Sequence, residues 1–139
     1  MLFRSLTRHF VEYLAKKGRR TIGWDEIFVD SKNQNAKGDA FTSMLPKTTM
    51  GMCWRNHGAG ALAANKGYEI VRCPTSHCYF DFAQGLSEDP YIYLYGSRSI
   101  VLSKVYQFDP FAGVESGARK NVVGGQCCNW TSQIGRAHV

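Results

Sequence analysis

The chain has 139 residues and a formal charge of +6, with 44% hydrophobic, 20% charged and 13% aromatic residues. That length and apolar share fit one globular domain with a real core and exclude a disordered chain. No apolar run approaches the roughly 20 residues a membrane helix needs, and the opening MLFRSLTRHFVEYL lacks the uninterrupted apolar stretch of a signal peptide.

Residues 2–17 carry a helical period, with Phe3, Leu6, Phe10, Tyr13 and Leu14 on one apolar stripe and Gly18 as the stop. The basic cluster 16–20 sits at the end of this helix, where cations offset the negative dipole end. The remaining basic residues are dispersed and no nucleic-acid-binding module is recognisable, so a nucleic-acid partner is not expected. Thr21 to Trp24 reads as a short buried strand, followed by the adjacent carboxylates Asp25 and Glu26. Such a pair beside a Trp raises the question of a glycosidase acid–base pair.

Residues 30–46 are polar and read as a loop. A second strand, Thr49 to Trp54, leads through Arg55 and His57 into an alanine-rich helix, Ala59 to Lys66, closed by Gly67. The third strand runs from Tyr68 to Cys73 and stops at Pro74. Residues 75–90 read as a long functional loop, and 99–108 as a short helix or turn. Tyr91, Tyr93 and Tyr95 alternate as in a short strand or an aromatic rim. The last strand is expected over 122–130, ending in Trp130.

Strands that read as apolar runs and alternate with helices indicate an α/β architecture with a parallel sheet. Three of the four strands deliver a Trp at the C-terminal end, which is where parallel α/β barrels bind ligands. Converging indoles make an aromatic-walled pocket, a surface suited to the faces of sugars.

The five cysteines, Cys53, Cys73, Cys78, Cys127 and Cys128, contain no C-x-x-C pair and read as buried thiols. Cys73, His77 and Cys78 lack the fourth ligand of a structural zinc site, so no metal is expected. His57 reads as a polar loop residue and Arg55 as the partner of a barrel carboxylate. Gly58 and Gly60 form too weak a pattern for a phosphate cradle.

The segments GWDEI at 23–27, CWRNHGAGALAANKGYEIV at 53–71, SHCYFDFAQ at 76–84, LSKVYQFDP at 102–110 and GGQCCNWT at 124–131 occur in this order. Together they resemble the C-terminal half of the catalytic barrel of glycoside hydrolase family 20, the β-N-acetylhexosaminidases. The resemblance implies a partial (β/α)8 barrel holding about the last four strands, with residues 1–133 as the partial catalytic domain. It implies that Trp24, Trp54 and Trp130 form the cage around an N-acetyl group and the floor of the terminal-sugar site. Tyr79 would donate its hydroxyl to the acetamido oxygen, and Asp81 would bond a sugar hydroxyl.

The implied reaction is hydrolysis of terminal N-acetylglucosamine or N-acetylgalactosamine by substrate-assisted retention, without a cofactor. The family's catalytic Asp-Glu pair lies in a Gly-Gly-Asp-Glu-like context, and no Gly-Gly-Asp-Glu occurs in residues 1–139. Asp25 and Glu26 then read as local capping or loop-fixing groups, and the chain alone is expected to be inactive. The alternative is a non-catalytic carbohydrate-binding remnant of the same fold. The family continues Trp-Thr-Glu where this chain has Trp130-Thr131-Ser132. The terminal IGRAHV at 134–139 matches a translated sequencing adapter and reads as a non-native tail. Membership would carry an expectation of secretion, periplasmic export or a lysosomal address; the oligomeric state has no sequence signal.

Overall fold

The computed structural model describes residues 2–28, 45–55, 57–82 and 99–130. The polar loop over 30–44, the tyrosines 91, 93 and 95, Ser132 and the tail at 134–139 lie outside the described residues.

Helix α1 spans Leu2–Lys16, free of glycine and proline throughout. Gly18 takes the left-handed φ of 67° and Arg19 N–H reaches back to Leu14 O at 2.9 Å, which satisfies a carbonyl the helix end would strand. Strand β1 is Ile22–Trp24 and runs into a 3-10 turn, Asp25–Ile27. Strand β2 is Met50–Cys53, helix α2 His57–Asn65 and strand β3 Glu69–Arg72. A short helix α3 covers Thr75–Cys78, helix α4 covers Leu102–Tyr106, and a 3-10 segment Ser116–Asn121 feeds β4, Val122–Gly125.

All three strand pairings are parallel, and the sheet order is β1-β2-β3-β4. Each strand lies beside its neighbour in sequence, with no reversal of order. A doubly wound sheet would show a switch point; an unbroken parallel succession is an arc of a barrel. The expected α/β class and partial barrel are therefore present.

The core has two parts. Between the sheet and α2, Cys53 and Ile70 pack with Ala59, Ala63 and Ala64. Phe28 and Tyr68 cross there with ring centroids 4.9 Å apart. Small side chains let α2 sit close: a Cβ on Gly60 would lie 3.0 Å from both Arg72 Nη1 and Cys53 Cβ. At the C-terminal ends of the strands a second cluster joins Cys73, Cys78, Tyr79, Ile100 and Cys128, with Met52, Trp54 and Phe108 against it.

Several expectations change. Strand β4 ends at Gly125, not Trp130: two glycines offer nothing to pack, and the chain leaves the ladder after them. The region read as a loop from Thr75 opens with the helical turn α3. In α1 the stripe residues Leu6, Phe10 and Tyr13 are half-exposed, and Val11, off that stripe, is the buried one. The helical period marks an apolar face, but packing decides which residue the described body covers.

Candidate functional site

Trp24 is the last residue of β1 and stays extended at φ −61°, ψ 157° before the chain turns into Asp25–Ile27. A Cβ on Gly23 would sit 3.0 Å from Ile27 Cγ2, so the turn folds tightly back over the strand end. This places Asp25 inward, 1% exposed, and Glu26 toward the mouth of the neighbouring strand. Phe28 anchors the turn from below: its ring covers Gly51, the residue opposite Gly23 in β2.

Both Glu26 carboxylate oxygens lie 3.1 Å from Trp54 Nε1, so the indole N–H donates to them jointly. Arg55 Nη2 stands 2.9 Å from Glu26 Oε1, and its Nε is 3.6 Å from Asp25 Oδ1. The Arg55 backbone N–H donates to Asp25 Oδ2 at 3.3 Å. The sequence reading of Arg55 as the partner of a barrel carboxylate is realised here. Asp25 and Glu26 do fix a loop, as expected, but the loop is the one after β2. Glu26 also lines the cavity, which the sequence reading missed.

One arginine faces two carboxyls, and they divide. Burial opposes ionisation of Glu26, yet its own backbone N–H, the Trp54 indole and Arg55 outweigh that and hold its carboxyl below the ordinary value. Asp25 has the poorer contacts; burial, reinforced by the Glu26 charge, pushes its carboxyl up to about 7. Of the two, Glu26 is thus the carboxyl favoured as the anion and Asp25 the one that takes up a proton first as pH falls.

Tyr79 follows α3 and is 7% exposed. A parallel bridge ties it to Cys128, with Phe80 N–H donating to Cys128 O at 2.8 Å and Cys128 N–H to Cys78 O at 2.7 Å. The bridge brings the segment after β4 beside the segment after β3. Burial, then the neighbouring Cys128 side chain, push the phenol well above its ordinary value. The phenol therefore stays protonated at neutral pH.

Trp24, Glu26, Trp54, Tyr79 and Trp130 line one cavity of about 330 Å³, within the range of about 300–1,000 Å³ for small-molecule sites. Trp24 pairs with Trp130 at 6.3 Å and 38°, and Trp54 with Tyr79 at 6.4 Å and 37°. All four aromatic candidates from the sequence meet here. Asp81 does not line the cavity; it is half-buried two residues on, and its Oδ1 is buried without a hydrogen-bond partner among the described residues. His77 is buried under the site, its Nδ1 2.7 Å from Ser76 Oγ and its ring 6.0 Å from Phe108. Burial lowers its imidazole. Among the described residues no three of His, Cys, Asp or Glu gather to hold a metal, and no helix is long and apolar enough to cross a membrane.

The family model for the catalytic domain of glycosyl hydrolase family 20 matches residues 1–139. The chain belongs to that family. Its relatives include a β-hexosaminidase of Vibrio furnissii, 27% identical over 138 residues, covering 94% of this chain and 20% of the relative. A β-hexosaminidase of Porphyromonas gingivalis is 28% identical over 124 residues, covering 87% of this chain and 14% of the relative. Among solved structures, the family 20 exo-β-N-acetylglucosaminidase of Vibrio harveyi in complex with N-acetylglucosamine superposes with a TM-score of 0.64. It is 24% identical and covers 94% of this chain and 19% of its own, so the likeness bears on the fold. The chain spans a fifth or less of the length of these relatives. In family 20 terms, every lining residue lies at or beyond the C-terminal end of its strand, the face barrel enzymes use.

Proposed function

We propose that this chain forms the amino-sugar-binding wall of a β-N-acetylhexosaminidase that removes terminal N-acetylglucosamine or N-acetylgalactosamine from glycans or chitin oligomers. The observation that carries this reading is the single cavity bounded by three indoles and a protonated phenol. Trp24, Trp54 and Trp130 supply flat apolar faces for a pyranose and its acetyl methyl. Tyr79 donates to the acetamido oxygen as that oxygen attacks the anomeric carbon, stabilising charge where it shifts. The walls hold the acetamido group in a near-attack position and keep water from it.

Asp25 and Glu26 are not the acid pair. A general acid must carry a proton to the leaving oxygen. Glu26 is held ionised by Trp54 and Arg55, and Asp25 is enclosed. The proton donor is therefore another group of the full polypeptide, in keeping with the lack of a Gly-Gly-Asp-Glu run in residues 1–139.

The deciding experiment compares Tyr79→Phe with the parent in the full polypeptide that carries this chain. Kinetics on an aryl N-acetylglucosaminide should show kcat lowered about 10²-fold with KM within about threefold. An effect on KM alone would remove Tyr79 from its role. Binding of N-acetylglucosamine without turnover in the parent would favour the carbohydrate-binding remnant.

A further inference from the structure

We infer that Glu26 is a positioning residue: its carboxylate, clamped by Arg55, fixes the plane of the Trp54 indole and thereby the shape of the amino-sugar cavity. The inference rests on the reading of Trp54 as a sugar wall, and extends it to a residue that no sugar atom needs to touch. Three contacts carry it. The indole N–H meets both oxygens of one carboxylate at 3.1 Å, an arrangement that resists swinging of the ring in its own plane. Arg55 holds the same carboxylate at 2.9 Å and lies 5.6 Å from the Trp54 ring, so the guanidinium braces the acceptor and the ring together. The opposite side of the ring system is set by Tyr79 at 6.4 Å.

Without the carboxylate the indole N–H would lose its acceptor in a half-buried site, and a ring on two free torsions would sample other rotamers. Because Glu26 comes from the turn after β1 and Trp54 from the end of β2, the bond also locks two strand tips in register. Charge-assisted bonds of this kind are stronger than neutral ones, which suits a ring that must not move when a ligand arrives.

The test uses Glu26→Leu, Glu26→Gln and Trp54→Phe in the full polypeptide, with two independent readouts. In nitrogen–proton spectra the Trp54 indole resonance should move upfield and broaden in Glu26→Leu and return most of the way in Glu26→Gln, which keeps an acceptor. In kinetics on an aryl N-acetylglucosaminide, Glu26→Leu should lower kcat/KM about tenfold, and Glu26→Gln should stay within about threefold. Adding Glu26→Leu to Trp54→Phe should cost nothing more, since residues acting as one unit are not additive. Additive losses, or an unmoved indole resonance, would overturn the inference. If Trp54→Phe binds N-acetylglucosamine as the parent does while the indole resonance still follows Glu26, the functional reading fails and the Glu26–Trp54 link stands. Glu26→Gln preserves shape and charge-free bonding, so a failure of Glu26→Leu to fold leaves the resonance and the kinetics readable.

Discussion

The indole of Trp24 ends the first strand and that of Trp130 lies in the segment beyond the last strand of a four-stranded sheet, yet their centroids are 6.3 Å apart. Across a flat sheet, three strand spacings would separate them by roughly 14 Å. Curvature closes part of that distance, and the four residues between Gly125 and Trp130 carry the second ring back across the mouth. The pair joins the two ends of the arc at one side of the cavity.

Trp130→Ala should therefore weaken binding of N-acetylglucosamine about tenfold while leaving stability within about 0.5 kcal/mol, because the side chain is 49% exposed. Ligand titration and urea denaturation of the same variant check both halves. Unchanged affinity would remove Trp130 from the site.

Stability should fall as pH rises from about 4 to about 7. Asp25 is raised from 3.8 to about 7 in the folded chain. Its contribution is thus complete below the unfolded value and is lost as the pH climbs through the folded one. Glu26, shifted the other way, contributes above its unfolded value and loses that as pH falls. Asp25→Asn should abolish the descending limb, worth on the order of 3 kcal/mol. Urea midpoints measured from pH 4 to 8 in parent and variant decide it.

Gly51→Ala should destabilise the chain by about 1–3 kcal/mol, because an added Cβ enters the space of the Phe28 ring. Phe28→Leu on that background should recover part of the loss, whereas alone it should be destabilising. Additive losses in the double variant would show that the two positions do not share that space.

A thiol reagent should modify one cysteine per native chain and five after denaturation. Cys127 is exposed and the other four are buried. Burial pushes the Cys73 thiol up to about 12 and the Cys78 thiol up to about 11, so little thiolate forms at neutral pH. Mass mapping should find the label on Cys127.

The strand tips and their tryptophans were legible because buried parallel strands are apolar runs and an indole at the end of one is conspicuous. Gly18 and Gly67 also announced themselves, as stops that needed a left-handed φ, found at 67° and 84°. The end of β4 was misplaced because the conspicuous Trp130 outweighed the glycine pair Gly124-Gly125, where the strand stops. Arg72 was illegible as a buried residue: its charge suggests solvent, but alternation along β3 turns it toward α2, where Gly60 makes the room. The link from Glu26 to Trp54 spans 28 residues and depends on strand register, which no local pattern in GWDEI encodes.

The succession of nearest-neighbour strands also implies an order of assembly. Strands β2 and β3 pair across the shortest stretch of chain, Gly51 with Ile70, and α2 fills the crossover between them. Joining β4 to β3, Ile70 with Val122, closes a much longer loop at an added entropic cost of about 1 kcal/mol. Loop-closure entropy thus favours pairing within β2–α2–β3 ahead of the outer strands. The hollow that needs a ring from each outer strand is then the final piece of the molecule to acquire its shape.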